Sequence, residues 1–157
     1  MIFYLPCVSI LLTYFIFRSK GIDYRAVALG SLTPFTIDLF IGHASIGHSF
    51  IFAVGMFVLI MLGTISRPRL LRRRLLCFVI GIFFALVLEG TFLQEQTWWW
   101  PLTRHSSGNH IDIFPNMTAW IIREVVGLIA LYIIFGIGEL HIKTNRQEFF
   151  KQGRIST

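Results

Sequence analysis

Long apolar runs separated by short basic loops constrain this 157-residue chain more than any other feature. Hydrophobic residues make up 55% of the chain and charged residues 14%, whereas about a quarter of the residues in a soluble domain are charged. A membrane-spanning helix needs about 20 apolar residues, with about 17 as the lower limit. We therefore expect an all-α, integral membrane helical bundle in a single domain over residues 1–140, followed by a basic tail over residues 141–157. Its five short spans are predicted at residues 2–17, 24–41, 48–65, 75–93 and 119–140.

The second predicted span is the hardest to assign from hydropathy, because Pro34 and Asp38 interrupt it. Lysine and arginine in short loops mark the cytoplasmic side of a membrane protein. Three clusters, after the first span, before the fourth and in the tail, hold 12 of the 14 basic residues. They share one side only if residues 24–41 cross the membrane. We therefore expect a multi-pass protein of the bacterial inner membrane, with the N-terminus outside and the C-terminus in the cytoplasm. Pro34 predicts a kinked or broken second span, and a re-entrant segment remains the alternative.

This orientation gathers the polar residues of the predicted spans at the outer face. A carboxylate inside a membrane costs about 2.5 to 3.5 kcal/mol, so Asp38 and Glu89 are candidate functional residues. The natural partners of these acids are His48, a metal or Arg123, and histidine and carboxylate ligands from separate helices suit a divalent metal such as zinc or manganese. The alternative, which the residues alone favour, is that the acids pair with Arg123 or with polar backbone near Pro34 and only hold helices together.

Other features of the chain indicate no further chemistry. Cys7 and Cys77 fall inside apolar runs without metal-ligand spacing, so they are predicted to be buried. The tryptophans at 98–100 are predicted to lie in an interfacial belt. The net charge of +6 comes from loop residues that act as topology signals and contact acidic lipids, so we expect membrane lipids, and not nucleic acid, as partners.

Four strings in this order, DYRAVALGSLTPFTID, GHSF, LVLEGTF and WWWPL, resemble the YdjM-like family of membrane-bound proteins regarded as metal-dependent hydrolases. The resemblance covers most of the chain. It implies a distant likeness to zinc-dependent phospholipase C, with ligands from an LPDxxD-like stretch, a histidine before a hydroxyl residue, and an HxxxD pattern. At the positions that match these ligand patterns the chain has Asp38, His48 and Glu89. Two further ligand positions of the family hold the apolar residues Phe35 and Ala85.

Two functions follow as hypotheses. The first is a metal-dependent hydrolase acting on a lipid or envelope phosphoester at the outer face, with Asp38, His48 and Glu89 as metal ligands. In this hypothesis Glu124 or His105 moves protons as the catalytic acid or base. The second is a non-catalytic membrane scaffold or interaction subunit that retains the fold and binds a protein partner or a second copy of the chain.

Overall fold

The computed structural model describes residues 3–19, 21–41, 47–93, 98–99 and 117–139, and positions 142–143, 146–147, 149 and 153 of the tail. Every regular element in this part of the chain is helical, so the all-α prediction is confirmed. The five α-helices are α1 (Tyr4–Phe17), α2 (Tyr24–Ile41), α3 (Phe50–Gly63), α4 (Arg69–Glu89) and α5 (Met117–Ile137), and a 3-10 turn covers Thr91–Leu93.

The helix bounds differ from the predicted spans for local reasons. Helix α2 has the predicted bounds and continues through Pro34, so of the kink or break expected at this residue the helix shows no break. Helix α4 begins at Arg69, six residues before the predicted start, because arginine is a good helix former even outside an apolar run. It ends at Glu89 because Gly90 adopts a left-handed conformation with φ of 72°.

Length and apolar composition qualify one of the described helices, α5, as able to cross a membrane. Helices α1 and α3 are apolar but have only 14 residues each. The residues that the structure describes therefore form a helical bundle with one helix that is both long and apolar enough to cross a membrane.

Helix α4 is the centre of the bundle and packs against α1, α2 and α3, most extensively against α2. At the crossing with α2, Gly30 lies against the carbonyl of Phe78, and Gly81 lies against the carbonyl of Val27. A Cβ atom at either glycine would overlap these backbone atoms. The close approach is typical of membrane helices, whose contacts use small residues.

Helices α3 and α5 flank this centre. Gly127 of α5 packs on the backbone of Tyr4, so α5 is attached to α1, while α3 packs mainly on α4. Ala53 is the one residue of α3 that is fully buried. The remaining faces of both helices expose large apolar side chains.

Basic residues meet at one end of the helices. Asp23, just before α2, contacts the guanidinium nitrogens of Arg25 and Arg74 at 3.3 Å each. Arg73 lies over Gly21 in the same region. The amide of Tyr24 donates to the carbonyl of Gly153 at 2.9 Å, which attaches the tail here. The first two basic clusters and part of the tail thus share this end, which we call the basic end.

Candidate functional site

The site begins at the first turn of α3. The Ser49 hydroxyl accepts a hydrogen bond from the amide of Phe52 at 3.0 Å and so caps the helix. His48 precedes this cap and is 6% exposed. The cap fixes the backbone on which the imidazole stands, so His48 is held by the start of the helix and not by a free loop.

Glu89 is the last residue of α4, at the end of the bundle opposite the basic end. The left-handed Gly90 stops the helix directly after it, and the hydroxyl of Thr91 donates to the carbonyl of Leu86 at 3.0 Å. The amide of Gly90 also donates to the carbonyls of Leu86 and Val87, so part of the helix terminus is satisfied by its own chain. The Glu89 carboxylate is thereby left to make contacts outside α4.

His48 and Glu89 contact each other directly. The distance from Nε2 of His48 to Oε2 of Glu89 is 2.6 Å, and the side chains are 7% and 11% exposed. The contact is nearly buried, so little water screens it. The sequence offered His48, a metal or Arg123 as the partner of Glu89, and the structure brings His48 to it.

Helix α2 passes beside this pair. Gly47, next to His48, packs so closely on Pro34 that a Cβ there would meet its backbone at 3.1 Å, and Ile37 lies at 3.4 Å. This turn of α2 directly precedes Asp38. The Asp38 side chain itself lies outside the described residues, so its predicted role as a ligand remains a prediction.

The other predicted site residues lie elsewhere or are not described. Glu124 of α5 accepts a hydrogen bond from the amide of Phe3 at 3.1 Å, which ties α5 to the start of α1. His105 falls outside the described residues. Their proton-transfer roles therefore stay predictions.

Two features were missed by the sequence analysis. One is the carboxylate of Asp23, which two arginines share at the basic end. Its position just before a helix and two residues from Arg25 is the signal that could have found it. The other is the stacking of Trp98 on Phe50, with ring centroids 4.9 Å apart and planes 15° apart, which closes the bundle next to the site. No local pattern predicts that pairing.

The side chains of His48 and Glu89 are of the types that bind divalent metals. Imidazole nitrogen and carboxylate oxygen are ordinary zinc ligands, but two donors on one tetrahedral zinc lie roughly 3.3 Å apart. The pair would have to separate by about 0.7 Å, which a small side-chain rotation supplies. Among the described side chains, no group of three or more possible ligands gathers in one place. A third ligand has to come from Asp38 or from the segments that the structure does not describe.

Comparisons of the chain with protein-family models, curated proteins and solved structures found no match. The function is therefore argued from the residues and their geometry.

Proposed function

We propose that the chain is an integral membrane protein whose described helices span the bilayer, as part of the five-span arrangement, with the basic end in the cytoplasm. The apolar surface supports this proposal. Monomeric soluble proteins rarely expose contiguous apolar patches larger than a few hundred Å². Along α5 the large apolar side chains at 121, 122, 125, 126, 128, 129, 133 and 135 are each more than a third exposed. An acyl-chain environment accommodates such a face without cost.

The distribution of charge supports the orientation. The basic end carries Arg25, Arg73 and Arg74, whereas the opposite end carries the His48–Glu89 pair. Arginine-rich loops stay on the cytoplasmic side during insertion. The same rule supports an extracytoplasmic position for the candidate site.

We further propose that this site binds a divalent metal, zinc or manganese, and hydrolyses a lipid or envelope phosphoester. The direct contact between His48 and Glu89 carries the proposal, because two side chains of types that bind metals, one just before α3 and one at the end of α4, converge in a buried place. Asp38 is the third ligand in this scheme. A bound metal would lower the pKa of its water so that a nucleophile forms near neutral pH. In this scheme the chain supplies the ligands, and the stacked rings of Trp98 and Phe50 lie next to the site.

An apolar groove favours a lipid as the substrate. It has a volume of about 500 Å³ and lies where α1 and α3 flank α4. Phe50, two residues after His48, lines it together with Phe83 of α4. The acyl chain of a lipid phosphoester bound at the site would therefore lie in the groove.

Metal analysis of the purified protein tests the proposal. We expect about one equivalent of zinc or manganese per chain in the wild type, and loss of most of it in His48→Ala, Glu89→Gln and Asp38→Ala. Glu139→Gln is the matched control, because Glu139 is an exposed carboxylate just beyond the opposite end of α5. A wild type without stoichiometric metal, or equal metal content in Glu89→Gln and Glu139→Gln, would falsify the metal site.

A scaffold without catalysis is the second candidate. It is favoured by the 2.6 Å contact itself, because the two side chains contact each other directly without a metal. In that case the wild type contains no metal, while His48→Ala still lowers the stability of the bundle.

A further inference from the structure

The tail returns from α5 to the start of α2. The amide of Tyr24, the first residue of α2, donates to the carbonyl of Gly153 at 2.9 Å. The first four amides of a helix have no acceptor within the helix, so the tail supplies one of these acceptors. The amide of Gly153 in turn donates to the carbonyl of Phe149 at 2.9 Å. We call Phe149 and Gly153 the tail clasp.

Position 153 requires glycine for two separate reasons. Its φ of 69° lies in the left-handed region, which residues with a Cβ rarely adopt. The residue is also buried, and an added Cβ would overlap the carboxylate of Asp23 and lie 2.9 Å from Nε of Arg25. The tail backbone therefore lies directly against the carboxylate that Arg25 and Arg74 contact.

The ring of Phe149 provides the second contact of the tail clasp. It packs on an apolar cluster that includes Ile10 of α1, Val27 of α2, Cys77 of α4 and Ile134 of α5. The same residue lines a cavity of about 420 Å³, whose other walls come from α1, α2, α5 and the tail. One ring of the tail thus packs on a cluster to which four helices contribute.

Helix α5 is otherwise held mainly by α1. Among the described helices, α1 is the one that contacts α5 extensively, whereas α2 packs on both α1 and α4. The tail clasp adds a second attachment, from the end of α5 to the start of α2. Chain termini open locally without unfolding the elements that precede them. The tail can therefore detach while the helices remain folded.

We propose that the tail clasp is a releasable device that holds α5 near α2, and that its release lets the two helices separate and opens the cavity between them. At the other end of α5, Glu124 accepts a hydrogen bond from the amide of Phe3 and Gly127 packs on the backbone of Tyr4. These contacts remain when the clasp opens, so α5 turns about the end that they hold. The proposal requires no metal at the candidate site.

Limited proteolysis of the full chain in detergent tests whether the clasp closes. Chymotrypsin cleaves after large apolar side chains, so it cuts after Phe149 or Phe150 when the tail is detached. Gly153→Ala should raise the rate of this cleavage about tenfold, because the left-handed conformation disfavours a residue with a Cβ by about this factor. Mass spectrometry of the released peptide measures the rate.

Two glycines provide matched controls for this substitution. At Gly136 of α5 nothing lies within 4 Å of an added Cβ, so Gly136→Ala should leave the cleavage rate unchanged. Gly90 has a φ of 72°, and an added Cβ there would meet Leu93 at 3.7 Å. Gly90→Ala therefore introduces similar backbone strain without touching the tail, and it should also leave the cleavage rate unchanged.

Spin labels measure whether α5 moves when the clasp opens. Both native cysteines are replaced by alanine, and labels are attached at the exposed positions Leu29 of α2 and Tyr132 of α5. Double electron-electron resonance should show a longer and broader distance distribution in Gly153→Ala than in Gly136→Ala. Phe149→Ala, which removes the ring without straining the backbone, should give the same change.

The two measurements can each contradict the proposal. Equal cleavage in Gly153→Ala and in either glycine control would show that the clasp does not hold the tail. Faster cleavage with an unchanged distance between the labels would show that the tail does not hold α5. An unchanged distance in Phe149→Ala would exclude the ring as part of the device.

Discussion

At the scale of single residues, the contact between His48 and Glu89 is the most consequential feature. Both side chains are nearly buried, so each has lost water and depends on its partner. Sequence reasoning could select both residues, because polar groups in apolar runs are rare and because a topology rule put them at one end. It could not give the 2.6 Å distance, which depends on where the Ser49 cap starts α3 and where Gly90 stops α4. The Asp23 cluster escaped prediction for a similar reason, since Arg74 is about 50 positions away in the chain.

Breaking this pair on one side should destabilise the bundle more than removing both partners. Replacing a single partner leaves the other buried without its contact, which costs about 3 kcal/mol, whereas apolar replacement of both avoids that penalty. We expect His48→Leu and Glu89→Leu each to lower the free energy of unfolding by about this amount, and the double variant to regain at least half of the summed loss. Reversible denaturation in detergent measures these values. Additive losses would show that the contact contributes nothing to stability.

At the scale of helices, the crossing of α2 and α4 organises the bundle. The arginine pattern predicted that residues 24–41 form a span, and the structure has a helix with these bounds that continues through Pro34. The sequence did not give the glycine contacts, because hydropathy counts Gly30 and Gly81 as weakly apolar and says nothing of their neighbours. It also placed the start of α4 too late, since hydropathy does not detect a helical turn made of arginines.

Glycines at and away from the crossing should respond differently to substitution. At Gly81 an added Cβ would overlap the carbonyl of Val27, so Gly81→Ala should force α2 and α4 apart and lower the melting temperature clearly. Gly55 of α3 is the matched control, because nothing lies within 4 Å of an added Cβ there. Gly55→Ala should be neutral or stabilise by up to about 1 kcal/mol through helix propensity. Thermal unfolding of both variants in the same detergent checks this, and equal losses would contradict the close crossing.

At the scale of the whole molecule, the described helices have an apolar surface between two different ends. One is the basic end, and the opposite end carries the His48–Glu89 pair. Hydropathy predicts an apolar surface well, because it detects long runs of apolar side chains. It does not separate the exposed apolar residues from the core residues. The distinction between the buried Ile134 and the exposed Ile133 appears only once α5 is packed on α1.

Topology can be measured with single cysteines in a background of Cys7→Ala and Cys77→Ala. We expect Ser66→Cys, between α3 and α4, to react with a membrane-impermeant maleimide only after the membrane is opened. Ser106→Cys, in the predicted outer loop, should react in intact cells. The reverse labelling pattern would show that the basic end faces outward.

The central place of α4 also bears on how the protein is made. Helices α1, α2 and α3 leave the ribosome before α4 exists, yet each packs on it, and α3 has no other extensive partner among the described helices. In the proposed membrane placement, α3 therefore enters the bilayer before the Glu89 carboxylate that contacts His48 has been made. Nascent chains halted before residue 89 should consequently hold α3 loosely and depend on insertion factors that shield polar groups from lipid.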